Sequence, residues 1–129
     1  MRNPFIALAF SIAAATTGGA AGHQSAPPAR VVYIAAERFS FTPSRVTVDQ
    51  GSTIELRISS DDTSHGFKLT GPRAIDIEIP KRGRGEARVT FDATEAGTYT
   101  FECSRVCGAG HGFMRGTIEV KPRAPEPAS

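Results

Sequence analysis

Apolar residues in this chain recur at every second position, in short runs, and almost nowhere at helical spacing. Ile54, Leu56 and Ile58 share one parity, as do Ile75, Ile77 and Ile79. Ala87, Val89 and Phe91 repeat the pattern, followed by Tyr99, Phe101 and Cys103, and then Ile118 and Val120. Successive side chains of a strand point to opposite faces, so each run reads as a strand with one buried face. Turn residues bound the runs, among them Asp49, Gly51, Gly71, Pro72 and Pro80. A single strand of this kind cannot bury itself. Short strands at this spacing predict an all-β fold, an antiparallel β-sandwich of roughly 100 residues. Only residues 92–96 offer a candidate helical turn.

The ends read differently from the middle. Residues 1–22 have a positive start at Arg2, a short apolar run and a small polar stretch, which predicts an export signal. The alternative is an uncleaved anchor over residues 4–20. Residues 23–29 read as a flexible linker, in which His23 is a weak candidate for stray metal, and residues 122–129 as a disordered, proline-containing tail. The domain is then 30–121, enough for one hydrophobic core. Export places it in a periplasmic or other extracytoplasmic space. The formal net charge of +2 gives no reason to expect nucleic acid as a partner. Lys81, Arg82 and Arg84, next to Gly83 and Gly85, read as a solvated hairpin tip.

The chemistry concentrates in residues 103–114, CSRVCGAGHGFM. This stretch holds both cysteines, His111 and Met114, the one methionine besides Met1. Thiolate, imidazole and thioether together suit copper, because soft sulfur donors accommodate a metal that cycles between Cu(I) and Cu(II). Gly108, Gly110 and Gly112 let the loop wrap tightly. Cys103 is in phase with Phe101, so its sulfur should point to the core side. His65 lies far upstream and is the other histidine of the domain. One cysteine would make a mononuclear site. Two thiolates can each bridge two metals, leaving an imidazole and a weaker ligand to finish each. Asp62 and Ser104 are candidates to orient an imidazole or to hydrogen-bond a sulfur.

A structural disulfide is the competing reading of Cys103 and Cys107 in an oxidising compartment. It would close a very short loop and so stabilise little. No serine–histidine–acid pattern, carboxylate pair or phosphate-cradling glycine motif is present, so no catalytic residues are assigned.

The motif resembles the binuclear copper A motif of cytochrome c oxidase subunit II and of the C-terminal domain of nitrous-oxide reductase. The segment from Asp62 to Phe67 is similar to that family's first-histidine segment. Phe39, Phe41, Pro43, Val46, Val48 and Gly51 are similar to the stretch before it. The resemblance covers about residues 30–121. It implies a cupredoxin-like Greek-key β-sandwich, antiparallel or mixed, with Cys103 and Cys107 bridging two copper ions. His65 and His111 would each ligate one copper, Met114 would bind weakly, and the Arg105 carbonyl would complete the set. It further implies electron transfer from a c-type cytochrome or similar small redox protein to a terminal oxidase or reductase complex, with a copper chaperone for assembly. Arg105 stands where oxidase subunit II usually has glutamate, and the chain has no tryptophan to serve as a surface electron entry. The expectation is a free-standing or singly anchored copper A domain. A periplasmic copper carrier using the same ligands is the alternative.

Overall fold

The computed structural model describes residues 18–19, 30–71, 73–125 and 127. The expected signal and linker lie outside the described residues except for Gly18 and Gly19, and His23 lies outside with them. Within the described residues no helix is long and apolar enough to cross a membrane. Among the described residues nine strands form two facing sheets. They are β1 (Arg30–Glu37), β2 (Ser40–Thr42), β3 (Arg45–Asp49), β4 (Thr53–Ser60), β5 (His65–Leu69), β6 (Ile75–Ile79), β7 (Glu86–Asp92), β8 (Gly97–Glu102) and β9 (Arg115–Lys121).

One sheet runs β2-β1-β4-β7 and the other β3-β9-β8-β5-β6. Both are mixed: β1 pairs with β4 and β3 with β9 in parallel, and the remaining pairs are antiparallel. The chain crosses between sheets repeatedly, which brings β1 beside β4 and β3 beside β9 with their directions matched. Of the antiparallel or mixed sandwich expected, the mixed form is the one found.

Alternation sets the core. Ile54, Leu56 and Ile58 face inward from β4, Ala87, Val89 and Phe91 from β7, and Ile118 and Val120 from β9. Phe41, Phe67 and Phe101 meet at its centre with ring centroids 5.1 to 6.0 Å apart. Fully burying side chains of this size contributes about 1.5–3 kcal/mol each. In β6 only Ile79 is fully buried; Ile75 and Ile77 are half-covered, because β6 is an edge strand.

Two local expectations change. Residues 92–96 form no helical turn, because the Ala93 amide donates to the Ser52 carbonyl and the Ala93 carbonyl accepts from the Gly51 amide. Those groups are therefore spent on the neighbouring loop. The Lys81–Arg84 segment is not a hairpin tip either. It links β6 in one sheet to β7 in the other, and the Arg82 amide donates to the Asp62 carbonyl at 3.1 Å. Beyond β9, residues 122–125 carry no regular structure.

Candidate metal centre

Two segments build the centre. His65 opens β5, and residues 103–114 link β8 to β9, with a short 3-10 turn at His111–Phe113. The β5–β8 pairing runs through Lys68↔Glu102 and Leu69↔Phe101. Just past it the Gly66 amide donates to Cys103 Sγ at 3.5 Å, and His65 comes to rest beside that sulfur. The loop is closed at its base by the Cys103 amide, which donates to the Met114 carbonyl at 3.0 Å.

The donor atoms converge. Cys103 Sγ and Cys107 Sγ are 3.5 Å apart, and both cysteines are free. His65 Nδ1 is 3.9 Å from Cys103 Sγ, and His111 Nδ1 is 3.8 Å from Cys107 Sγ. Met114 Sδ is 3.9 Å from Cys107 Sγ, and the Arg105 carbonyl accepts from Cys103 Sγ at 3.1 Å. His65, Cys103, Cys107 and Met114 are buried, whereas His111 is only half-buried. The inward direction expected for Cys103 is what its parity produces.

The supporting groups fix the donors' directions. Asp62 Oδ1 lies 2.6 Å from His65 Nε2, which leaves Nδ1 to face the sulfur. The same carboxylate accepts the amides of Arg38 and Thr63. Burial acts to raise the Asp62 carboxyl, but the bonds from His65 and those two amides prevail and hold it at about 2. Burial, then the neighbouring Cys103, pushes the Cys107 thiol up to about 11.

That thiol tests the fit of a metal. A buried sulfur with little reason to ionise alone becomes a thiolate once a cation shares its pocket. A metal–thiolate bond of about 2.3 Å lets one ion touch two sulfurs at this separation. His65, Cys103 and Cys107 present donor atoms that all lie within 4.8 Å of one another. Soft sulfur beside neutral imidazole favours copper over hard cations. The residues present fit the group.

All six residues singled out in the sequence meet at this end. The Arg105 side chain does not join them. It is exposed, with Nη2 3.5 Å from Glu78 Oε2, a surface ion pair of small energetic weight. The Ser104 hydroxyl donates to Asp76 Oδ1 at 2.7 Å rather than to a sulfur. Sequence reasoning missed three supports. Arg38 Nε donates to the Cys107 carbonyl at 2.8 Å. Phe39 packs over Gly108, whose φ of +144° suits glycine. Gly66 approaches so closely that a Cβ there would lie 2.1 Å from Ser104 Oγ and 2.9 Å from the Arg105 nitrogen. The only hint of the last was a glycine directly after His65.

This sandwich with its sulfur-rich end loop defines a cupredoxin: the chain matches the cupredoxin-like domain over residues 5–120 and belongs to that family. Within it, the chain is 37% identical over 98 residues to cytochrome c oxidase subunit 2 of Thermus thermophilus, covering 76% of this chain and 70% of the relative. A second subunit 2, from another source of the same species, matches at the same 37% identity, and the chain spans 56% of its length. Among solved structures, the periplasmic domain of subunit II of cytochrome oxidase from Bradyrhizobium japonicum superposes with a TM-score of 0.66. At 18% identity, with 75% of this chain and 87% of that one covered, it supports the fold.

Proposed function

We propose that this chain is an extracytoplasmic electron-transfer domain built around a binuclear copper centre. In this reading it accepts electrons from a c-type cytochrome or similar small redox protein and passes them to a heme-copper oxidase or related reductase. Cys103 and Cys107 would bridge two ions, His65 and His111 would each hold one, and Met114 and the Arg105 carbonyl would be the weaker donors. Copper supplies the one-electron couple. The protein holds the donors in place and keeps water from the three sulfurs and from His65, so that little has to move when charge changes.

The observation that carries this reading is the pair of unbonded buried sulfurs 3.5 Å apart, each approached by a different imidazole. A single-copper site built from two imidazoles, one thiolate and a thioether would leave one buried thiol without a task. The similarity to subunit 2 of cytochrome c oxidase supports an oxidase as acceptor. The buried donors favour a resident ion over a carrier's quick hand-over, which needs open access.

Copper titration of the full chain tests it. Saturation at two ions per chain, with electron-spin hyperfine coupling from two equivalent nuclei, is the expected result. Saturation at one ion with a mononuclear blue-copper spectrum would overturn the proposal.

A further inference from the structure

Two of the three large apolar side chains exposed among the described residues stand on the metal loop. Val106 is 89% exposed and Phe113 85%. Each directly precedes a sulfur residue, Cys107 and Met114, whose sulfur atoms lie 3.9 Å apart. The turn that carries Phe113 buries none of its own residues, so the ring contributes nothing to the core. Exposed apolar surface concentrated at one end of a small domain marks a contact site.

The loops around this patch are basic. Arg38 reaches the Cys107 carbonyl, and the 80–85 loop joins the same end through the Arg82 amide and the Asp62 carbonyl. Arg38, Lys81, Arg82, Arg84 and Arg105 are all exposed there. The carboxylates on the same loops are Asp61 and Asp62, and Asp62 is committed to His65 and to backbone amides. Glu78 is set against Arg105, and Asp76 and Glu102 lie with Lys68 and Arg115 in the depression beside His111, so the cationic excess of this end rests on Arg38, Lys81, Arg82 and Arg84.

Taking the electron-transfer reading as its basis, we infer that this end docks a redox protein with an acidic rim and an apolar centre. The cations steer such a partner over long range, and the apolar patch excludes water at the contact. A plain polyanion would use the cations and leave Phe113 and Val106 idle. An acidic protein with an apolar contact uses both. It meets the chain beside His111, the less buried of the two imidazoles.

The copper-loaded full chain can be mixed with lysine-rich cytochrome c and with the same cytochrome after succinylation of its lysines. Electron transfer is followed by stopped flow at several salt concentrations. The succinylated form should react about tenfold faster at low ionic strength, and salt should erode that advantage. Lys81→Glu combined with Arg84→Glu should remove most of the preference and leave the absorption spectrum unchanged. Phe113→Ser should slow the reaction without altering its salt slope. A faster reaction with the native cytochrome, or a charge-reversed variant that keeps the preference, overturns the inference. So does binding to phosphatidylglycerol vesicles that depends on Phe113 while the two cytochromes react equally. Loss of the two-copper spectrum would defeat the reading of the centre instead. Calorimetric titration with the two cytochromes would then still decide the charge preference, because it needs no electron transfer.

Discussion

The carboxylate of Asp62 holds the Nε2 edge of His65 at 2.6 Å, and the ring's other nitrogen faces Cys103 Sγ at 3.9 Å. One short hydrogen bond therefore sets both the tautomer and the direction of an imidazole that is fully buried. Partners of this kind raise the basicity of a ligating histidine. Asp62→Ala should weaken copper binding by about 10- to 100-fold. Competition against a chelator of known affinity measures it. An unchanged affinity would mean that packing alone orients the ring.

Removing one sulfur separates bridging from ordinary ligation. Cys107→Ser should lower the stoichiometry from two coppers to one and abolish the mixed-valence spectrum. Met114→Leu should keep both ions and change the reduction potential, because the thioether is the weaker donor. Metal analysis and voltammetry read the two effects. A two-copper spectrum surviving in Cys107→Ser would sink the bridging arrangement.

Gly66 is the point of closest approach between β5 and the metal loop. A methyl group there would collide with Ser104 Oγ, which can turn away only by giving up its bond to Asp76, and with the Ser104 and Arg105 backbone nitrogens at 2.9 Å, which cannot yield without moving the loop. Gly66→Ala should destabilise the fold by about 1–3 kcal/mol. It should also perturb the copper spectrum, since the Gly66 amide is bonded to Cys103 Sγ. Urea unfolding and absorption spectroscopy on the same sample test both parts. Gly112, with nothing within 4 Å of its virtual Cβ, is the control position and should tolerate alanine.

Stripping the metal should cost stability by mass action. With free copper at 1,000 times the dissociation constant, binding adds about 4 kcal/mol. At about 4–8 °C per kcal/mol for a domain of this size, the melting midpoint should fall by roughly 15–30 °C on removal. In air, the metal-free chain should also lose both titratable thiols as Cys103 and Cys107 oxidise to each other. Calorimetry and thiol titration follow the two changes.

Period two placed the inner faces of β4, β7 and β9 correctly, because residues such as Leu56 and Val89 sit on central or well-covered strands. It overstated β6, where Ile75 and Ile77 lie on an edge that the opposite sheet only half covers. The strands β1 and β5 were not evident from alternation. In β5 His65, Gly66, Phe67 and Leu69 are all buried, so no polar–apolar contrast remains to be read. The donors were legible because two cysteines, one histidine and one methionine fall at recognisable spacing in one loop. The grip of Arg38 on the Cys107 carbonyl was not, because it joins residues 69 positions apart through a backbone atom. No residue type announces that kind of contact.

The hydrogen bond from the Cys103 amide to the Met114 carbonyl makes the metal loop a closed cassette. Both sulfurs of the pair, one imidazole and the thioether travel together inside it, and His65 alone arrives from another part of the chain. Lengthening or shortening connections at the far end of the sandwich leaves that cassette untouched. Descendants of such a domain can therefore remodel their remaining outer turns at small risk, provided the short step from Asp62 to His65 stays in register with the loop.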